Sequence, residues 1–480
     1  MLISDFVLHE LAHELRRALG SDRVTTDKPQ RQEHATDWSW TARLLEYRDV
    51  DRPMCDVLVR PATADGVAEV IRIAYDFNVP VVPRGGGSGT QGGTLAQYGG
   101  IALDLRDLNA IISIDDNALT VTAEAGIDGK VLETTLNERG LTLPHYPGSA
   151  SRGATLGGYL AARGAGVSST KYGKAEDLVM SVQAAVPPGK LISTLPTRNH
   201  AAGPDLMQLL VGSEGTLGAI TQATMQIVRL PESRAFATYT FDNLADGIDG
   251  CAEIMRAGLR PAVIRLYDQA GTNYLARTVD VPDSRILLLF VFEGQASVMQ
   301  AELEAAHDIL NDRGAKSLGS APAETWWNGR ENPHSQSNAP GVPLLYGTTD
   351  VVASFAALPL IYSERKQLIE DEYSHWGARY TAHFSHWYPW GGMIYDRFYI
   401  DNPPTDVEQA LELHDEIWDR MTDIALRHGA SLNDHHGIGI KLGRFMRTQM
   451  GPAFDVMTSI KQAIDPKGLM NPGKLGFPRP

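Results

Sequence analysis

The sequence predicts a two-domain α+β protein: a mainly β domain built to hold a nucleotide, followed by an α/β cap domain carrying an antiparallel sheet. Two observations carry this. Glycine-rich stretches at 83–93, 148–173 and 212–218 are interleaved with short apolar runs in the first half of the chain. Beyond Pro231 the pattern changes, and strand-like runs alternate with helices of roughly three to four turns. The expected boundaries are an N-terminal helical segment at 1–50, the binding domain at 51–232, the cap or substrate domain at 233–425 and a C-terminal segment at 426–480.

Each element has its own signal. Phe6, Leu8, Leu11, Leu15 and Leu19 recur at helical spacing, and Gly20 stops that helix. Residues 21–49 read as polar and irregular. A helix from Ala62, with Val67, Val70, Ile71, Ile73 and Ala74 on one face, leads into the apolar run Val79 to Val82 and then into the glycine loop. Ile101 to Leu105, Ile111 to Ile114 and Leu119 to Ala123 read as strands, the last two joined by the turn Asp115-Asp116-Asn117. Val131 to Arg139 reads as a helix that Gly140 closes. Further strands are expected at Val179 to Ala185, Thr224 to Val228, Phe236 to Phe241, Ala262 to Leu266 and Ile286 to Phe292, and a long helix at 405–428. The stretch 331–342, rich in Pro, Asn, Ser and His, reads as a mobile loop.

Bulk properties narrow the function classes. Lys and Arg number 43 against 58 Asp and Glu, a formal charge of −15, which argues against a sequence-independent grip on nucleic acid or an anionic membrane. Cys55 and Cys251 are far apart and lack metal-type spacing, so no disulfide framework is implied. No basic n-region precedes an apolar core at the N-terminus, and the apolar run Ile286 to Phe292 is too short to cross a bilayer. A cytoplasmic protein with no transmembrane segment and a small-molecule substrate is expected; a homodimer stays open.

The chemistry starts at Pro83-Arg84-Gly85-Gly86-Gly87-Ser88-Gly89-Thr90. Residues without Cβ let the backbone turn sharply and approach a ligand, and successive bare N–H groups form a nest for a phosphate. Gly87 to Gly92 spells G-x-G-x-x-G, yet a Rossmann site needs a helix immediately after the glycines, and Thr94 to Leu105 reads as turn then strand. NAD is therefore disfavoured. Three clusters along the chain suit a long dinucleotide lying extended, such as FAD.

Five motifs in order then carry a resemblance. Pro83 to Ser88, Pro147-Gly148-Ser149, Ala154-Thr155-Leu156-Gly157-Gly158, Lys171 to Leu178 (with Tyr172 and Gly173) and Gly212-Ser213-Glu214-Gly215-Thr216-Leu217-Gly218 resemble those of the vanillyl-alcohol-oxidase-type (PCMH-type) FAD flavoproteins. The resemblance implies that Gly85 to Thr90 wrap the pyrophosphate and that the later clusters, through Ile220, line the rest of the cofactor, with the C-terminal segment returning to the flavin. Covalent members carry a histidine in the pyrophosphate loop; this loop has none, so non-covalent FAD is expected. Within the superfamily the chain is most similar to the alkyldihydroxyacetonephosphate synthase family, through Gly203 to Leu206, Arg260 to Leu266, Phe292-Glu293-Gly294, Ile394-Tyr395 and Gly429 to Gly439. That family exchanges an acyl for an alkyl chain through a flavin–substrate adduct, with no net redox change.

The likeness makes Tyr395 the acid/base, a role a phenol can fill if neighbouring cations lower its pKa. It places His435 and His436 near the flavin N5 and Arg265 beside them, and it also matches His145. Two histidines without a third ligand at suitable spacing are not a metal site, so no metal is expected. The chain departs from the family at Asp434, where the histidine run has another member, and at His383, where the synthases carry an arginine for the anionic part of the substrate. A histidine lacks the guanidinium fork. The aromatic stretch His383 to Trp390 suits an apolar or aromatic alcohol if it faces the flavin, and says nothing of substrate if it faces the core. These departures favour an FAD-dependent oxidoreductase acting on an alcohol or 2-hydroxy acid by hydride transfer to N5, with Tyr395, Tyr388, His386, Arg397 and His436 as candidates for proton transfer. The alternative is the redox-neutral alkyl transferase; a third class, a flavin-binding protein without catalysis, fits the tyrosine, histidine pair and arginine less well.

Overall fold

A computed structural model describes residues 4–283, 285–330 and 341–478, so most of the loop expected at 331–342 lies outside the described residues. The strand before the glycine loop belongs to a small sheet of β1 (Val24–Thr25), β2 (Val57–Val59), β3 (Val81–Arg84) and β4 (Ile101–Asp104), ordered β1-β2-β4-β3. β2 and β3 run parallel to β4, and β1 antiparallel to β2. Every residue of β2 and β4 is buried, which is why Val57–Val59 and Ile101–Leu103 are apolar, and the buried Asp104 that ends β4 pairs with His34 and Arg106. The helices Asp5–Leu19 and Ala64–Phe77 share that core through Leu11, Leu15, Val67, Val70 and Ile71. Thr63 caps the second helix by accepting from Gly66 N, and Asn78 ends it at φ 56.

The next strands are β5 (Ile111–Asp115), β6 (Thr120–Glu124), β7 (Leu141–Thr142), β8 (Val179–Val186), β9 (Lys190–Ser193), β10 (Ala219–Gln226) and β11 (Val228–Arg229). Five form an antiparallel sheet ordered β5-β6-β10-β8-β9, and β7 pairs with β11. The first two glycine clusters are locked together across this half. A Cβ on Gly85 would stand 2.2 Å from Thr155 Oγ1, and one on Gly86 would stand 1.7 Å from the Gly153 carbonyl oxygen. These glycines serve chain-to-chain contact as much as access for a ligand.

A seven-stranded antiparallel sheet follows: β12 (Ser233–Phe241), β13 (Val263–Tyr267), β14 (Ile286–Gly294), β15 (Lys316–Gly319), β16 (Leu345–Ser354), β17 (Ala378–Tyr388) and β18 (Gly391–Ile400), ordered β15-β12-β14-β13-β17-β18-β16. Its largest core cluster takes in Phe290, Phe292, Phe384, Trp387 and Phe398 together with Ile417 and Met421 of the helix Val407–Arg427. The chain end returns to the first sheet: Val81 N donates to Leu469 O at 2.8 Å and Asn471 N to Val81 O at 2.8 Å.

Residues 21–49 depart from the expected irregular segment. They hold short helices at Lys28–Glu33 and Trp40–Tyr47, capped by Asp27 and Ser39. The second buries Trp40 and Leu44 in the core of the seven-stranded sheet, where Trp40 Nε1 donates to Leu344 O at 2.9 Å and the indole stacks on His414 at 4.4 Å. Its apolar partners lie some 300 residues away in sequence, beyond what local periodicity shows. Among the described residues no helix is long and apolar enough to cross a membrane.

Candidate active site

β13, β17 and β18 present one face to a cavity of about 560 Å³ whose remaining wall comes from the glycine clusters of the first half. Alternation decides which side chains reach it. Arg265 and Tyr267, His383 and Ser385, and Met393, Tyr395 and Arg397 line the cavity, while Ile264, Leu266, Phe384, Ile394 and Phe398 lie in the core behind. The ladder sets Tyr267 opposite His383 and His383 opposite Tyr395, a row of three across the sheet. Alternation breaks at a bulge between Ser385 and Tyr388, where His386 takes φ 51. The bulge turns His386 to the cavity and Trp387 to the core, the reverse of strict alternation. The aromatic stretch thus splits: Phe384 and Trp387 are core residues and Trp390 is exposed, leaving His383 and His386 at the cavity.

Asp350 of β16 anchors the histidine run. It pairs with Tyr395 in the ladder and is fully buried. Its Oδ2 accepts from His435 N at 2.9 Å, its Oδ1 meets His436 Nδ1 at 2.7 Å, and Asn433 Nδ2 donates to Oδ1 at 2.7 Å. His435 Nδ1 lies 3.1 Å from Asp350 Oδ2 and 3.0 Å from Asp434 Oδ2. Sequence spacing showed no third metal ligand beside the two histidines; in space, Asp350 groups with His435 and His436, and Asp434 with His386 and His435, each with ligand atoms within 4.8 Å, and both carboxylates are engaged by imidazoles.

The electrostatics follow from burial and from these partners. Burial alone would lift the Tyr395 phenol, but Arg397 and His436 overcome it and hold the phenol below its ordinary value. Arg397 Nη2 donates to Tyr395 Oη at 3.4 Å, and the His383 ring stacks on the phenol at 4.7 Å. Burial opposes a charge on His436, yet Asp350 raises it to about 9, so an imidazolium faces Tyr395 at neutral pH. Burial keeps His383 neutral, and its Nε2 accepts from Arg265 Nη2 at 2.8 Å. Burial likewise lowers His386 and His145 to about 3.

The raised His436 value has a sign. A base with a folded pKa above its unfolded 6.5 adds stability below about 6.5 that is lost as pH rises through about 9. The His436 ring resonance is expected to titrate with a midpoint near 9, and Asp350→Asn to bring that midpoint below about 7. A midpoint already near 6.5 in the unaltered protein would contradict the pairing.

Most residues proposed from sequence converge here. Pro83 to Thr90, Pro147 to Ser149, Thr155, Gly157, Gly158, Glu214, Gly215, Gly218 and Ile220 line the cavity, with Arg265, His386, Tyr395, Arg397, His435 and His436. Four do not. Tyr388 lies behind and donates to Asp434 Oδ1 at 2.9 Å; Thr216 is buried against the Ser213 carbonyl at 2.7 Å; Tyr172 and Gly173 end a short helix outside the lining. Arg84 turns its guanidinium beneath the loop, donating to Thr36 O at 3.0 Å and Thr94 Oγ1 at 3.2 Å. Asp350 and Tyr267 were missed. The signal for Asp350 was an acid inside a run otherwise built for a buried strand.

Two family models match the chain: an FAD binding domain over residues 55–195, and the C-terminal domain of FAD linked oxidases over residues 230–475. An alkyldihydroxyacetonephosphate synthase of Dictyostelium discoideum is 29% identical, covering 97% of this chain and 80% of the relative. A probable mitochondrial D-lactate dehydrogenase of Danio rerio is 28% identical, covering 98% and 92%. The solved structure of p-cresol methylhydroxylase with substrate bound superposes with a TM-score of 0.80, covering 99% and 98% at 16% identity, which shows the PCMH-type fold.

The cavity wall fits FAD. The Thr90 hydroxyl and both ring nitrogens of His145 are buried there without a protein partner among the described residues, an arrangement that calls for a bound group. A Cβ on Gly89 would meet only open space. Gly85 to Thr90, Gly157, Gly158 and His145 all line this wall.

Proposed function

On the premise that this chain belongs to the FAD-linked oxidase family, we propose that it is an oxidoreductase acting on a 2-hydroxy acid. The observation that carries this is the charge of the cap half of the cavity. Arg265, Arg397 and the His436 imidazolium converge there, while the carboxylates in the lining are Glu133 and Glu214, both from the glycine-cluster half. Arg265 Nε and Arg397 Nε are buried without a partner among the described residues. Two unneutralised guanidinium groups in a dry wall suit an anionic substrate, and a fork suits a carboxylate.

FAD, when bound, supplies the acceptor for the two electrons of the oxidation. The protein's part is to orient and deprotonate. Arg265 and Arg397 hold the substrate carboxylate; the neutral His383 ring accepts one Arg265 N–H and so fixes the guanidinium. Tyr395, its phenolate favoured by Arg397 and His436, takes the hydroxyl proton from the substrate. Tyr267, Met393 and Trp326 in the same wall exclude water.

The second reading, redox-neutral alkyl transfer, is favoured by similarity to the synthase along nearly the whole chain. Against it stands His383, a neutral acceptor for Arg265 where the synthases are expected to place a charged anion ligand. Titration with a non-oxidisable 2-oxo acid, followed by perturbation of the flavin absorbance, tests the carboxylate claim. Arg265→Met is expected to weaken this binding at least tenfold, one charge-assisted hydrogen bond being worth roughly 1.5–3 kcal/mol. Equal affinity for a primary alcohol lacking the carboxylate would contradict it.

A further inference from the structure

Glu214 lies in the third glycine cluster, at the edge of the cavity, and its backbone has a conformation that disfavours it. Its φ is 48, between Gly212 at 85 and Gly215 at 75. Glycine or asparagine would take this left-handed position with less strain. The side chain gives the reason. Oε1 accepts from Ile438 N at 2.5 Å and Oε2 from Gly439 N at 2.8 Å, two and three residues beyond His436. The carbonyl of the same residue accepts from Asn471 Nδ2 at 2.6 Å, and that amide also reaches the Gly93 carbonyl at 2.9 Å. Space around the carboxylate is closed: a Cβ on Gly437 would stand 2.9 Å from Oε1 and one on Gly93 would stand 3.4 Å from Oε2.

We propose that Glu214 is a positioning residue that holds the His435–His436 run in register with the cofactor half of the cavity. Its carboxylate joins the third glycine cluster to the segment after the histidines, and the Asn471 amide ties the Glu214 and Gly93 carbonyls together. Both carboxylate oxygens accept from backbone amides just beyond the histidines, so the residue acts through that run. On the other side, Asp350 grips the same run through His435 N, His435 Nδ1 and His436 Nδ1. The run is therefore clamped between a carboxylate of the cap sheet and one of the FAD-binding half. Burial raises Glu214 to about 7 against the two amides and Lys474, which bears on it through space. The clamp that depends on two accepting oxygens is thus weakened as pH falls through that value. Among the described residues Lys474 is the titratable group that bears on Glu214.

The assignment deepens the proposed function, since it rests on the histidine pair acting beside Tyr395. Glu214→Gln keeps size and one accepting oxygen; Glu214→Ala removes both. With the FAD-loaded protein, hydrogen exchange at Ile438 and Gly439 is expected to accelerate at least about tenfold in Glu214→Ala and less in Glu214→Gln, at unchanged FAD content. Turnover is expected to fall about tenfold with KM within about twofold, because placement of the His436 imidazolium that favours the Tyr395 phenolate, and not substrate binding, is lost. Unchanged exchange at both amides in both variants overturns the clamp. Faster exchange with an unchanged kcat overturns its positioning role. Failure of the hydroxy-acid reading shows separately, as no turnover by the unaltered protein while the exchange difference persists; if Glu214→Ala does not fold, Glu214→Gln alone carries both readouts.

Discussion

Tyr395→Phe is expected to slow anaerobic reduction of the bound flavin by about 10²- to 10⁴-fold while leaving FAD content and fold intact, the range that lost general-base help costs. The phenol lies on β18 in the row Tyr267–His383–Tyr395, with its ring against His383 and its oxygen toward Arg397. Phenylalanine keeps the packing and the ladder register and removes only the oxygen. The remaining groups are ill suited to replace it: His383 and His386 are held neutral by burial but engaged by Arg265 and Ser169, and His436 is charged through Asp350. The wild-type rate is expected to rise with pH as the lowered phenol ionises, and that limb is expected to vanish in the variant. A variant that retains the rate and the limb would assign the proton to another group.

The largest effect on stability is expected behind the site. Arg365 is fully buried; its Nη1 donates to Asp396 Oδ2 at 2.9 Å and to Thr349 Oγ1 at 2.9 Å, and its Nε and Nη2 donate to Met421 O at 2.9 and 2.7 Å. The guanidinium thus ties the helix Val407–Arg427 to β16 and β18. Tyr380 Oη adds a further donor to Asp396 at 2.7 Å. Arg365→Met would leave the Asp396 carboxylate in a dry core without its cation, which costs about 3–5 kcal/mol, a large share of the roughly 5–15 kcal/mol that holds a domain folded. The urea midpoint is expected to fall accordingly. Adding Asp396→Leu is expected to recover part of the loss, since an apolar pair of similar volume removes the stranded charge. A loss below about 1 kcal/mol in the single variant would place water or another cation at Asp396.

Residues near one another in sequence gave the clearest reading. The apolar run before the glycine loop is β3 and the strand after it is β4, with no helix between them, which is the context that disfavoured a Rossmann site. Glycine density located the cavity wall because close approach of Gly85 and Gly86 to Thr155 and Gly153 tolerates no side chain there. What was hidden depends on register. The side a residue faces in β17 follows from one extra residue at His386, and no pattern in His383 to Trp390 announces it. The role of the acid at Asp350 emerges only when strand pairing sets it beside Tyr395 and against the histidines. The helix at Trp40 is short, and its burial rests on Leu344 and His414. Tyr388, expected at the flavin, lies outside the cavity lining and donates to Asp434.

The central claim is that substrate electrons end on the flavin. Single-turnover anaerobic mixing with a 2-hydroxy acid deuterated at C2 tests it most directly. The expected result is loss of the yellow flavin absorbance, slower for the deuterated acid and slower again in Tyr395→Phe. Absorbance that no hydroxy acid changes, in a protein that incorporates a fatty alcohol into an acyl ketone phosphate, would contradict it.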